Sequence, residues 1–225
     1  MLVNEYMVRH PIMIEGHRKV LDAQRMMVEN KIRHLPVVKD GKQLIGLLTR
    51  QRMSIQPERL GSLDVWEITR LLSDLTVEKV MVKGDDLQTI GPDATLEEAA
   101  RLMIRHKIGS LPVVEDGIVV GIITETDLLI ELQNLLGANE EGWRVTMRVP
   151  NRDGEFTKLS KAISDRGWSI MSLGSVRSPK DADSWDIVIK VSGCEQEGLQ
   201  AVLADISDQE LIDLRATRHF SVHPT

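Results

Sequence analysis

A single cysteine, Cys194, stands among the 225 residues. That excludes an internal disulfide and fits a reducing compartment. Aromatic residues are scarce too, with four Trp, two Phe and one Tyr, so the core must rest on Leu, Ile, Val and Met. No apolar run approaches the ~20 residues that cross a bilayer. The opening MLVNEYMVRHP lacks the basic-then-apolar pattern of a secretion signal, so a soluble, cytoplasmic protein is expected. Cations are outnumbered, 28 Lys and Arg against 34 Asp and Glu, for a formal charge of -6. Phosphate neutralisation needs a strongly basic face, so neither nucleic acid nor membrane is an expected partner. Nucleophile-elbow, P-loop, HExxH and CxxC motifs are all missing. The six histidines show no metal-ligand spacing. No catalytic residue, metal or catalytic cofactor is expected, and the chain does not read as an enzyme.

What is present is a repeat. Residues 20–38, VLDAQRMMVENKIRHLPVV, and 96–114, LEEAARLMIRHKIGSLPVV, are identical at nine of nineteen positions without a gap. Upstream, VNEYMV at 3–8 matches VEKVMV at 77–82; downstream, KDGKQLIGLLT ending at Thr49 matches EDGIVVGIIT ending at Thr124. Two copies make a duplicated half-domain rather than a solenoid. In each copy apolar residues recur at helical spacing, and in the second Thr95 with Glu98 forms a capping-box pattern. Leu-Pro-Val-Val reads as a short buried strand, with the proline where no ladder donor is needed. Asp40-Gly41 and Asp116-Gly117 are hairpin turn signals. Leu128, Leu129, Leu132, Leu135 and Leu136 form a wide apolar helical stripe that Gly137 stops. Each unit is thus strand-helix-strand-strand-helix, and neither can bury its faces alone.

The helix, the Ile-x-x-Leu-Pro-Val-Val strand, the Asp-Gly hairpin and the closing Gly-apolar-apolar-Thr together resemble the CBS domain; two in tandem form a Bateman module. By this resemblance repeat 1 spans 1–53 and repeat 2 spans 77–137, with a helical linker at 54–76. In that linker Leu63, Trp66, Leu71, Leu72 and Leu75 suggest an amphipathic helix that either packs in the core or helps two chains dimerise.

The resemblance implies an adenosine-type ligand in the cleft between the repeats. The family motif ends in Thr or Ser, two residues, then Asp, and a carboxylate suits the paired hydroxyls of a ribose. Repeat 2 keeps the motif in Thr124 and Asp127; read from the residue alone, Asp127 could equally cap its helix. Repeat 1 has Arg52 at the aspartate's place, and a guanidinium offers no acceptor. The two residues before Leu-Pro-Val face phosphates or base in the family. Arg33 and His34 would supply positive charge there, and Gly109 and Ser110 would leave room. Ile12, Ile32 and Ile122 are the expected apolar walls. A ribose at Asp127 and phosphates at Arg33, His34 and Arg52, with Arg50 in the same half, would suit AMP, ADP or ATP, a polyphosphate best. The alternative is that these arginines are solvated or paired with nearby carboxylates.

Beyond a polar linker at 138–142, residues 143–222 read as strand-helix-strand-strand-helix-strand, the ferredoxin-like βαββαβ order. Strands are expected at 143–149, 168–176, 185–191 and 210–217, with one helix marked by Phe156, Leu159, Ala162 and Ile163 and ending near Gly167, and another at 195–206. The run VPNRDGEF followed by GWSI resembles the ACT domain, a regulatory fold that often binds amino acids at the glycine of that turn. Here that glycine is Gly154, and Asp153 replaces the family's usual proline. Gly154 either shapes a tight turn at a dimer interface or touches an amino-acid effector. The expected fold class is α/β (α+β): a tandem CBS-domain pair followed by an ACT-type domain. That order resembles bacterial acetoin-utilisation proteins. It implies a homodimeric regulator that senses an adenine nucleotide, relays it to the ACT-like domain and acts on an unknown partner protein. A ligand-free scaffold and an amino-acid sensor are the alternatives.

Overall fold

Each Asp-Gly pair closes a hairpin. In the computed structural model, which describes residues 1–53 and 74–217, Asp40 and Gly41 have φ of 47° and 91°, and Asp116 and Gly117 have 50° and 82°. Two successive left-handed residues make the turn whose twist matches that of the flanking strands, and Asp followed by Gly tolerates it best. The hairpins are β3 (His34–Lys39) with β4 (Gln43–Thr49), and β5 (Ser110–Glu115) with β6 (Ile118–Thr124). They meet at Gln43, which pairs with Ile118. The linker-helix expectation for Leu63, Trp66, Leu71 and Leu72 lies outside the described residues.

Each hairpin is covered by a helix: α2 (Val20–Glu29) in repeat 1, α4 (Leu96–His106) in repeat 2. Thr95 caps α4 as its sequence predicts. Thr95 Oγ1 accepts from Glu98 N at 3.2 Å, and Glu98 Oε2 accepts from Thr95 N at 2.8 Å, an arrangement that contributes about 1 kcal/mol. Leu96, Ala99 and Met103 form the buried stripe of α4, and Val20, Ala23 and Met27 that of α2.

The repeats are held together by exchange of their leading segments. Short helix α1 (Val3–Tyr6) and strand β1 (Val8–Arg9) open repeat 1, and α3 (Val77–Val80) opens repeat 2. Val3, fully buried, belongs to the core of repeat 2 with Leu111, Val113 and Ile123. Val77 and Met81 belong to the core of repeat 1 with Leu35, Val37 and Leu48. The strands follow suit: Val8 pairs with Ile122, and Val82 pairs with Leu47. Burial of each valine contributes roughly 1.5–3 kcal/mol, and that contribution exists only when both repeats are present. The expectation that neither half closes alone thus has a specific cause.

Two glycines make the exchange possible. A Cβ on Gly46 would lie 2.8 Å from Val82 O and 2.9 Å from Met81 Cγ; one on Gly121 would lie 2.9 Å from Met7 Cγ and 3.2 Å from Val8 O. The glycine of each Gly-apolar-apolar-Thr ending is the groove into which the other repeat's Met-Val segment is pressed.

Two compact units divide the chain, Met1–Leu128 and Leu129–Thr225. Helix α5 (Glu125–Leu135) contains the division. Its stripe is not a buried one: Leu128 packs on the repeat-2 core, while Leu129, Leu132 and Leu135 are at least half exposed. In the second unit, β7 (Gly142–Pro150), α6 (Glu155–Ser164), β8 (Ser169–Arg177), β9 (Ser184–Ser192), α7 (Gln196–Ala204) and β10 (Glu210–Thr217) follow the βαββαβ order. All four strands are antiparallel neighbours in the order β10-β7-β9-β8. Val145, Met147, Ile187 and Ile189 pack on Leu159, Ile163, Leu199 and Leu203 of the two helices. On the opposite sheet face Lys190 is 1% exposed, and its Nζ donates to Gly137 O at 2.9 Å.

Candidate functional site

Within the first unit the two "LPVV" strands begin at one cavity of about 810 Å³. The residue types before each Leu-Pro decide its character. Arg33 and His34 stand at the head of β3, and the chain returns along β4 to Thr49, opposite His34. The 3-10 turn Arg50–Met53 follows, stitched by Arg50 N donating to Arg33 O at 2.9 Å. Arg50, Gln51 and Arg52 thereby join the same wall. The repeat-2 wall has the same backbone plan: Glu125 N donates to Gly109 O at 3.1 Å, which brings Glu125 beside Gly109 and Ser110. His106 and Lys107 add to this side, and Asp85 and Asp86 enter from the turn after Val82.

Five expected residues come together here: Arg33, His34, Arg52, Gly109 and Ser110. The other five do not line the cavity. Asp127 turns inward to cap α5. Its Oδ2 accepts from Thr124 N at 2.7 Å and from Thr124 Oγ1 at 2.8 Å, while Thr124 Oγ1 accepts from Asp127 N at 3.3 Å. This is the reciprocal pattern of a capping box, so both side chains are engaged locally. Ile122 is buried within β6 between Val8 and Pro112. Ile32 packs on the repeat-1 core and borders a neighbouring cavity of about 610 Å³, together with Arg33 and Arg50. Ile12 is 37% exposed. The apolar residues on this cavity are Leu47, Val82, Leu87 and Ile108.

Two features give the cavity its chemistry. First, Ser110 is 1% exposed, and its Oγ finds no hydrogen-bond partner among the described residues. Leaving a buried hydroxyl unmatched costs about 1–3 kcal/mol, which a bound polar group would offset. Second, burial and the Arg33 guanidinium hold the His34 imidazole below its ordinary pKa, with Glu125 opposing. The neutral form of His34 is therefore favoured near pH 7. The sequence reading missed the carboxylates Asp85, Asp86 and Glu125. Asp85 and Asp86 lie in a turn with no periodic signal. Glu125 was legible as the repeat partner of Arg50, a charge reversal between equivalent positions. Among the described residues no cluster of His, Cys, Asp and Glu could hold a metal ion, and no helix is long and apolar enough to cross a membrane.

In the second unit, Gly154 is the left-handed residue before α6, with φ of 84°, a conformation glycine adopts without strain. Asp153 is exposed. The turn is locked by Glu155, whose buried carboxylate accepts from Lys158 Nζ at 2.8 Å, Arg152 at 3.0 Å and Gln209 Nε2 at 3.0 Å. These bonds hold its pKa below the usual carboxylate range. A smaller cavity of about 370 Å³ beside the turn is walled by Phe156, Leu173 and Trp185, with Arg152 at its edge. Neither Gly154 nor Asp153 lines it.

The profile of the CBS domain matches residues 3–53 and 77–134. Among solved structures, a Vibrio cholerae protein described as an acetoin utilization protein (AcuB) is 32% identical. That match covers 62% of this chain and 96% of that one, with a TM-score of 0.51. CBSX2, solved in complex with AMP, is 24% identical over 59% of this chain and 96% of its own, with a TM-score of 0.50, a likeness of fold alone. Inosine-5'-monophosphate dehydrogenase of Korarchaeum cryptofilum is 31% identical over 141 residues, 62% of this chain. The chain spans only 26% of that dehydrogenase.

Proposed function

Through residues 3–134 the chain belongs to the CBS-domain family, as a tandem pair, and on that premise we propose that it is a regulatory protein sensing an adenine nucleotide. The ligand is AMP, ADP or ATP, held in the cavity at the heads of β3 and β5. The observation that carries the reading is the cavity's make-up: one wall presents Arg33, Arg50 and Arg52, and the other holds Ser110, buried and with no hydrogen-bond partner for its hydroxyl among the described residues. Guanidinium groups match phosphate oxygens through paired N–H donors, and Ser110 offers a hydrogen bond to the ligand's polar body. The protein acts by binding. A ligand that prefers one arrangement of the pair shifts its population by that differential affinity, and the second unit, read as an ACT-like dimerisation domain, carries the shift to a partner or to a second copy. The kinship with an acetoin utilization protein supports a setting in acetoin or central carbon metabolism.

A second reading is favoured by the cavity beside the 151–154 turn. An apolar cup of Phe156, Leu173 and Trp185 with the Arg152 cation at its edge suits a small apolar amino acid, making the second unit an effector site near Gly154 and Asp153.

Calorimetric titration of the full chain with AMP, ADP and ATP tests the nucleotide reading. Binding is expected, weakened roughly tenfold in Arg33→Ala through loss of a charged hydrogen bond. Asp127→Ala separates its two roles. A ribose ligand loses affinity, whereas a cap alone loses about 1 kcal/mol of stability with the affinity untouched. Absence of heat with all three nucleotides would defeat the reading and leave the CBS pair as a scaffold.

A further inference from the structure

We propose that Glu125, rather than Asp127, is the carboxylate that takes the ligand's ribose, accepting hydrogen bonds from its paired hydroxyls; this rests on the nucleotide reading above. Asp127 does not line the cavity, and its Oδ2 is held by Thr124 N at 2.7 Å and Thr124 Oγ1 at 2.8 Å. Glu125 does line it. Its carboxylate is exposed and has neither a hydrogen-bond nor an ion-pair partner among the described residues, so both oxygens are free to accept.

The backbone fixes where those oxygens lie. Ser110 pairs with Thr124 across the hairpin, and one step on Glu125 N donates to Gly109 O at 3.1 Å. A Cβ on Gly109 would lie 3.0 Å from Glu125 Oε1 and 3.7 Å from Oε2, so a side chain at 109 would crowd the carboxylate. The carboxylate thus packs against the neighbour of Ser110, whose buried hydroxyl has no partner among the described residues. Two carboxylate oxygens match two vicinal hydroxyl donors, and a serine hydroxyl can donate or accept beside them. Arg50 occupies the equivalent point of repeat 1, its N–H donating to Arg33 O, but a guanidinium has no acceptor to offer a sugar.

The full set of charges favours the same orientation. Arg33, Arg50 and Arg52 share the repeat-1 wall with no carboxylate among them, whereas the repeat-2 wall mixes Glu125 with Lys107 and His106. A phosphate gains most from three guanidiniums, and the uncharged sugar is left to the mixed wall. Lys107 competes for the phosphate as a single ammonium beside a carboxylate. Asp85 and Asp86 offer acceptors too, but they enter from a separate turn, Gly84–Asp86, with no backbone bond to Gly109 or Ser110.

The test is titration calorimetry of the full chain with AMP, 2'-deoxy-AMP and IMP. AMP and 2'-deoxy-AMP carry the same phosphate, so the ratio of their affinities does not respond to the charge that is lost with Glu125. The wild-type chain is expected to prefer AMP roughly tenfold, as for one charged hydrogen bond. Glu125→Ala is expected to bring that ratio close to one, and Glu125→Gln to keep part of it through its remaining acceptor. Asp127→Ala, Asp85→Ala and Asp86→Ala are expected to leave it at the wild-type value. Loss of the preference in any of those three variants overturns the assignment. So does an unchanged ratio in Glu125→Ala with both affinities raised, which would place the phosphate at Lys107, or with both affinities unmoved. A shift confined to the AMP-to-IMP ratio overturns it as well, by putting the amino group of the base at Glu125. Equal binding of AMP and 2'-deoxy-AMP by the wild-type chain overturns it while leaving the nucleotide reading intact. Failure of the wild-type chain to bind any nucleotide overturns both.

Discussion

Replacing Gly46 by alanine tests the exchange of leading segments directly. In an ordinary strand the change is favourable, because alanine loses less backbone entropy on folding, by about 0.4–1 kcal/mol. Gly46 has no positive φ to defend, so only the approach of the other repeat opposes the change. The new methyl would meet Val82 O at 2.8 Å and Met81 Cγ at 2.9 Å. Methionine can yield; the Val82 carbonyl can move only by straining the two hydrogen bonds that join Val82 to β4. These are Leu47 N to Val82 O at 2.9 Å and Val82 N to Leu47 O at 2.8 Å. Overpacking contributes a loss of about 1–3 kcal/mol, and each weakened hydrogen bond about 0.5–1.5 kcal/mol when fully lost. Set against the entropic gain, the net loss is about 2 kcal/mol. For a unit of this size that lowers Tm by about 8 °C. Gly121→Ala, whose nearest backbone oxygen is 3.2 Å away, is expected to cost about half as much. Gly91→Ala, with nothing within 4 Å, is the control and should hold or slightly raise Tm. Scanning calorimetry is the suitable assay, because three of the four tryptophans, Trp143, Trp168 and Trp185, lie in the second unit and tryptophan fluorescence is weighted toward it. An unchanged or raised transition in Gly46→Ala would refute the close-approach argument.

His34 makes stability depend on pH with a definite sign. Its folded pKa lies below the ordinary 6.5, so the unfolded chain takes the proton first. Stability is therefore full above about pH 6.5 and falls as pH drops through that value toward the folded pKa. His34→Gln should flatten the Tm profile below about pH 6.5; parallel profiles for the two proteins would show that the burial of His34 is not felt. Lys190 makes the opposite use of a buried cation. Burial pushes its ammonium pKa down, so part of what it contributes is the packing of its stem. Urea unfolding followed by tryptophan fluorescence should find Lys190→Met within about 1 kcal/mol of wild type and Lys190→Ala at least ~2 kcal/mol less stable. Equal losses in the two variants would mean instead that the hydrogen bond to Gly137 O dominates.

Much of the architecture was legible because its signals are local. The Asp-Gly turns, the Thr95–Glu98 cap and the alternating strands of the second unit each depend on residues a few positions apart, and the duplication reports every repeat-1 element twice. The cavity was half legible for the same reason: Arg33, His34, Gly109 and Ser110 stand beside the Leu-Pro strands, and the strands carry them to one place. Less legible was the part that depends on contacts between repeats. Ile12, Ile32 and Ile122 were assigned to a wall, but the position of each relative to the cavity is set by which repeat's leading segment lies against which strand. Asp127 illustrates a different limit. Its spacing from Thr124 fits both a ligand clamp and a helix cap, and a spacing cannot separate two roles that use the same atoms.

The sequence by itself determined that the chain carries a duplicated strand-helix-hairpin unit followed by a βαββαβ domain, with no disulfide. Hydrophobic periodicity, turn chemistry and composition act over short stretches, and their energies do not wait for the rest of the fold. Only the tertiary structure decided that Val3 and Val77 are buried in each other's repeats, that Gly46 and Gly121 are grooves for Met81 and Met7, and that the Glu125 carboxylate lies against Gly109. Those are relations between segments far apart in the chain, and they exist only once close packing has chosen which surfaces meet.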